Sequence, residues 1–242
     1  MICARLGIRT GHMKIHLCKR LQTSHHYAFI MPRIRGTATR QERMAEMAAN
    51  KAKQSRPRSA NEASVSPSSP VGLIYASEGG LTEGVAGRIS KMIGVEHVDI
   101  EDVKDAEDLA KYDALIVGTP THNTLADEYR SGTGWDDIID DVKTLDMSGK
   151  IVACFGLGDG LCYGEGFCDA MEELHRTFKT TGATMVGYVD TDDYEYTESK
   201  SEIEGQFIGL PLDESNEDDL TEDRLKAWLL QLKEEGMPIQ IE

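Results

Sequence analysis

Val71-Gly72-Leu73-Ile74-Tyr75-Ala76-Ser77-Glu78-Gly79-Gly80-Leu81-Thr82 reads as a buried strand running into a glycine turn, followed by a helical segment at 83–93. Strand, tight glycine loop and helix is an arrangement that holds a phosphate. The loop amides point inward, and the helix N-terminus adds a partial positive charge. Ser77 and Thr82 add hydroxyl donors. Taken alone, the stretch fits an ordinary strand-to-helix turn equally well.

Working outward, an alternation begins at this strand. Residues 95–100 and 114–118 (ALIVG) read as strands, with a short helix at 103–110 between them. A helix follows at 135–142, a strand at 150–156 (KIVACFG) and a long helix at 167–181. A fifth strand begins at 184–189, a further strand segment is read at 206–212, and a last helix at 221–235 opens on Thr221 as its cap. Such alternation implies an α/β fold with a parallel sheet covered on both faces. Ligands of such sheets bind beyond the C-terminal ends of the strands. Three loops lie there, at 77–82, 119–135 and 157–167.

Upstream, the composition changes. Residues 1–70 carry 13 Lys+Arg and 3 Asp+Glu, whereas 71–242 carry 13 basic and 39 acidic residues, within a total net charge of −16. The acidic body should repel nucleic acid and anionic membranes and attract basic protein faces. Residues 1–69 are basic, acid-poor and end in a Ser/Pro/Asn tract, so they read as a largely disordered transit peptide and linker. A transient helix is expected at 41–53. The other reading is a basic tail that binds something acidic. Five cysteines without a CxxC pair suggest neither a disulfide framework nor a zinc site. No apolar run approaches a membrane span. The absence of GK[ST] after the glycines excludes a Walker-type nucleotide hydrolase.

The second loop contains Pro120-Thr121-His122-Asn123-Thr124-Leu125, and the third contains Leu157-Gly158-Asp159-Gly160-Leu161-Cys162-Tyr163. His122 and Tyr163 are flat side chains suited to cover the two faces of a planar ligand. A phosphate loop with two stacking loops calls for flavin mononucleotide (FMN).

At these residues the chain resembles the flavodoxins, in particular the long-chain type of algae. The resemblance covers 71–236 and rests on Pro120-Thr121-x-Asn123, on Ala126-Asp127-Glu128-x-Arg130-Ser131-Gly132-Thr133-x-Trp135-Asp136-Asp137 and on Phe155-Gly156-x-Gly158-Asp159. It continues through Tyr163 with Phe167-Cys168-Asp169-Ala170, Glu198-Ser199-Lys200, and Phe207-x-Gly209-Leu210-x-Leu212-Asp213-Glu214-x-Asn216 with Asp219-Leu220-Thr221. It implies a flavodoxin-like, three-layer doubly wound fold with a five-stranded parallel sheet in the order 2-1-3-4-5. It also implies a long-chain insertion, at 190–205, in strand 5. It implies a monomeric, non-enzymatic one-electron carrier of the plastid stroma, passing electrons from photosystem I to ferredoxin–NADP reductase in place of ferredoxin. The implied cofactor contacts are Ser77, Glu78, Gly79, Gly80, Leu81 and Thr82 for the phosphate. Pro120, Thr121, His122, Asn123, Thr124, Leu157, Gly158, Asp159, Tyr163 and Phe167 surround the ring. A backbone carbonyl near Asn123 or Thr124 would accept the flavin N5–H.

Four residues depart from the family pattern. Gly79 and Leu81 stand where hydroxyl and polar residues are usual, His122 where Trp is common, and Leu125 where a small residue often sits. A lost hydroxyl bond to a charged phosphate would cost about 1.5–3 kcal/mol. Imidazole covers less ring area than indole, and when protonated favours the reduced anion. The alternative for His122 is a loop histidine turned to solvent; for Tyr163, an exposed loop tyrosine; for Asp159, a turn cap rather than a partner of the flavin's pyrimidine edge. Because the departures cluster at the cofactor, a second function is open: a divergent relative with weak or lost FMN binding, acting as a docking module for redox partners. Trp135, Trp228, Met92, Met147, Met171 and Met185 read as core.

Overall fold

The computed structural model of the chain describes residues 69–241; the basic tract and its expected helix at 41–53 lie outside the described residues. β1 (Val71–Tyr75), β2 (His97–Asp99), β3 (Ala114–Pro120), β4 (Ile151–Leu157) and β5 (Thr184–Val186) form a parallel sheet in the order β2-β1-β3-β4-β5. β3 is buried at every position, as a central strand covered on both faces must be.

Successive strand residues point to opposite faces, which builds two cores. On one side Leu73, Ile116, Ala153 and Phe155 pack with Val85 and Ile89 of α1 (Leu81–Ile93) and with Leu225, Trp228 and Leu229 of α4 (Asp218–Glu234). On the other, Ile74, Leu115, Val117, Val152 and Cys154 pack with Trp135 and Ile139 of α2 (Trp135–Val142) and with Met171, Leu174 and Phe178 of α3 (Asp169–Thr180). Trp135, Trp228, Met147 and Met171 are buried; Met92 and Met185 pack against the cores from partly buried positions.

The fifth strand is interrupted. β5 pairs with the first part of β4, at Ile151–Ala153, and a later strand, β9 (Leu210–Leu212), pairs with its second part, at Phe155–Leu157. Between them β6 (Val189–Asp190), β7 (Glu202–Ile203) and β8 (Gln206–Phe207) form a small antiparallel sheet. The run 206–212, expected as one strand, is therefore two. Gly209 joins them so close to β4 that a Cβ would lie 2.3 Å from the Cys154 carbonyl oxygen.

Other boundaries also differ from the sequence expectation. The expected helix at 103–110 is replaced by two 3-10 turns, Ile100–Asp102 and Ala106–Lys111. The carboxylates of Asp99 and Asp105 accept from the amides of Glu101 and Glu107, favouring tight local turns. The long helix starts at Asp169, because Cys168 adopts φ +55° and turns the chain. The last helix starts at Asp218, so Thr221 is not its cap; it lies inside the helix, fully buried, and its hydroxyl donates to Glu214. Glu214 in turn pairs with Arg88 of α1. Among the described residues no helix is long and apolar enough to cross a membrane.

Candidate functional site

The three loops leave the C-terminal ends of adjacent parallel strands, β1, β3 and β4. In the first, the Ser77 hydroxyl oxygen accepts from the Gly80 amide at 3.0 Å, which leaves its proton to be donated elsewhere. Gly80 has φ +82°, and α1 begins at Leu81 without a side-chain cap. Leu81 and Thr82 thus belong to the helix, earlier than the sequence suggests. The amides of Leu81, Thr82 and Glu83 have no acceptor within the helix. Glu78, Gly79, Gly80 and Leu81 are exposed, while Thr82 is buried. A Cβ built on Gly79 or Gly80 meets nothing within 4 Å, so open space lies over the loop. Amides at a helix N-terminus, a free hydroxyl proton and open space suit a phosphate.

The second loop is fastened along both limbs. Outgoing and returning chains are joined by His122 N to Ser131 O at 3.3 Å and Asn123 N to Arg130 O at 2.9 Å. The Thr121 hydroxyl accepts the Ala170 amide at 3.2 Å, tying the outgoing limb to α3. The Asn123 side chain donates to the Tyr129 carbonyl at 2.8 Å. On the return limb the carboxylate of Glu173, on α3, accepts the amides of Tyr129 and Arg130, both at 3.0 Å. The Arg130 guanidinium is buried; it donates to the carbonyls of Ala126, Asp127 and Asp169 and pairs with Glu172. Lys200, from the inserted segment, donates to the Ala126 carbonyl at 2.6 Å. Leu125 and Tyr129 have φ of +67° and +57°. Burial pushes the Asp136 carboxyl above its usual range, opposed by the Ser131 hydroxyl that donates to it.

The third loop is bound to the segment after β9. Asp159 accepts the amides of Leu161 and Cys162 and the Asn216 side chain, so its carboxylate serves as the turn cap. Asp213 accepts the Gly160 amide at 2.9 Å. Gly158 donates to the Leu212 carbonyl at 3.0 Å. Tyr163 is 61 % exposed. Thr121, His122, Asn123, Thr124, Leu125, Ala126 and Tyr163 line one concavity of about 700 Å³, within the range of small-molecule sites.

Not every expected contact reaches this concavity. Phe167 is a core residue, 2 % exposed, stacked on Tyr196 at 5.6 Å between ring centroids and edge-on to Phe207; it falls in the core because the helix starts two residues after it. Leu157 and Pro120 are buried strand ends that offer only backbone. Conversely, Glu173, Asp213 and Asn216 shape the loops without having been singled out as site residues. The spacing Asp213-x-x-Asn216 carries a turn signal, since Asp213 accepts the amides of Ser215 and Asn216. Glu173 carries none, because only the packed helix shows it to be buried. Among the described residues no cluster of His, Cys, Asp and Glu is arranged to hold a metal.

Comparison with known proteins adds to this geometry. The family profile described as Flavodoxin matches residues 73–228. The chain is similar to a flavodoxin of Nostoc sp. strain PCC 7120, 41 % identical over 170 residues, covering 69 % of this chain and 98 % of the relative. It is similar to flavodoxin 2 of Escherichia coli, 41 % identical over 169 residues, covering 68 % and 95 %. The crystal structure of Fusobacterium nucleatum flavodoxin bound to flavin mononucleotide superimposes with a TM-score of 0.62 at 28 % identity, covering 68 % of this chain and 97 % of that one. Sheet order, loop placement and these matches agree: the chain belongs to the flavodoxin family.

Proposed function

We propose that this protein is a one-electron carrier holding FMN without a covalent bond. The observation that carries the reading is the concavity shared by residues 121–126 and Tyr163, set beside an open glycine loop at a helix N-terminus. FMN, when bound, supplies the one-electron chemistry. The Ser77 hydroxyl and the amides of residues 81–83 hold the phosphate. His122 and Tyr163 cover the ring and exclude water. A backbone carbonyl at Thr124, or at Asn123, which already accepts the Ala126 amide, would accept a hydrogen bond from a proton-bearing ring nitrogen. The surplus of acidic residues in 71–242 disfavours added negative charge at the site and steers the protein toward basic faces.

The finer reading is a monomeric long-chain flavodoxin of algal type in the plastid stroma, linking photosystem I to ferredoxin–NADP reductase. It is supported by the basic, acid-poor N-terminus and by the segment inserted between β5 and β9. A reporter fused to residues 1–69 that stays in the cytosol of an algal cell would count against plastid import. Direct electron transfer assays with photosystem I and the reductase test the partners.

The cofactor reading is tested by titrating the purified chain with FMN. Quenched flavin fluorescence and a shifted absorption spectrum are expected, and no binding at micromolar FMN overturns it. Two observations favour the second reading, a docking module with weak FMN affinity. The Gly80 amide is occupied by Ser77, and Leu81, rather than a polar residue, stands 52 % exposed at the loop.

A further inference from the structure

We infer that Glu173 is the positioning residue of the ring-side loop: from helix α3 it fixes the shape in which residues 122–126 meet a flavin. The inference rests on the FMN reading. Glu173 is 3 % exposed. A buried carboxylate is costly unless its oxygens are fully engaged, and here each oxygen accepts one backbone amide, of Tyr129 and of Arg130. The nearby guanidinium of Arg130 pairs with Glu172 instead. Glu173 therefore binds main chain, and the main chain it binds is the returning limb of the loop. Tyr129 sits there at φ +57°, a conformation that a side-chain-bearing residue keeps only when its surroundings impose it.

From that anchor the constraint passes directly to the site. Arg130, held by its amide, accepts Asn123 N through its carbonyl and reaches the carbonyls of Ala126 and Asp127 with its guanidinium. The outgoing limb is held to the same helix by Thr121. The middle of the loop, His122 to Leu125, lines the concavity. Glu173 hydrogen-bonds the returning limb at Tyr129 and Arg130, and through it sets where the lining residues stand.

The test uses the full chain with FMN and with riboflavin, which has the ring but no phosphate. Glu173→Gln keeps the size but leaves one oxygen to accept, and Glu173→Ala leaves none. Glu173→Gln is expected to weaken FMN and riboflavin by the same factor, about tenfold, the equivalent of one hydrogen bond to a charged group. Glu173→Ala is expected to weaken both further. Ser77→Ala, on the phosphate loop, should weaken FMN alone. Leu232→Ala, a cavity under α4 in the core on the opposite face of the sheet from α3, controls for general destabilisation. Glu173 variants that bind both flavins as the control does overturn the proposal. Amide exchange without flavin gives the second readout. Faster exchange at Asn123 and Ala126 in Glu173→Gln, with residues 81–83 unchanged, supports it; unchanged exchange at Asn123 and Ala126 overturns it. A wild-type chain that binds neither flavin defeats the FMN reading, and the exchange measurement still decides the role of Glu173.

Discussion

The amide of Ala126 donates to the carbonyl of Asn123 at 3.1 Å, closing a turn in which Leu125 adopts φ +67°. The third residue of such a turn favours glycine, because a Cβ in the left-handed region crowds the backbone. This is the physical content of the family's small residue at this position. Leu125 is also 58 % exposed, so it gains little from burial. Leu125→Gly should stabilise the protein by about 0.5–1 kcal/mol, the left-handed strain less the extra chain entropy of glycine. Urea unfolding of the two chains measures it, and a lower midpoint in the glycine variant would contradict the strain.

His122 lines the concavity and is exposed. An indole in its place covers more ring area and carries no proton charge. His122→Trp should bind FMN more tightly and lower the potential for full reduction of the bound flavin. Spectroelectrochemistry reads both, and an unchanged potential would place His122 away from the ring.

His175 lies buried on α3, with Nε2 2.9 Å from the Tyr188 hydroxyl. Burial pushes its pKa down to about 4, helped by Lys179 and opposed by Glu172. Burial also raises the Tyr188 pKa, so the phenol stays protonated beside the neutral ring. The folded pKa is below the unfolded one of about 6.5, so the unfolded chain binds the proton first. The contribution is whole above pH 6.5 and falls as the pH drops toward 4, by at most about 3 kcal/mol. In His175→Gln that part of the acid-side loss should vanish. Parallel urea curves between pH 7 and 4.5 check this, and identical slopes would refute it.

Gly160 gives the third loop its close approach to the inserted segment. A Cβ there would lie 2.2 Å from the Glu195 carbonyl oxygen, a backbone atom that cannot swing aside. Gly160→Ala should cost about 1–3 kcal/mol and weaken flavin binding by displacing Tyr163, three residues on. Thermal unfolding and FMN titration of the variant test both parts. Wild-type values in both would show that the loops part freely.

Strand and helix order, the three loops and the two core tryptophans are legible from local pattern. They follow from the spacing of apolar residues and from glycine, and such signals are written within a few positions of each other. The motifs quoted from 120 to 221 add the family. The structure supplies what depends on partners far along the chain. Thr221 looks like a cap but is buried, its hydroxyl held by Glu214, which is itself paired with Arg88 of α1. Phe167 looks like a loop aromatic but joins Tyr196 and Phe207 in the core. The left-handed Leu125 and the anchor at Glu173 also emerge only in three dimensions. The sequence by itself determined the sheet, its loops and the kind of ligand they suit. The tertiary structure decided which side chains stand at the site and what holds them there, because those positions are set by hydrogen bonds to α3 from residues more than forty positions away, and no local pattern encodes such a partner.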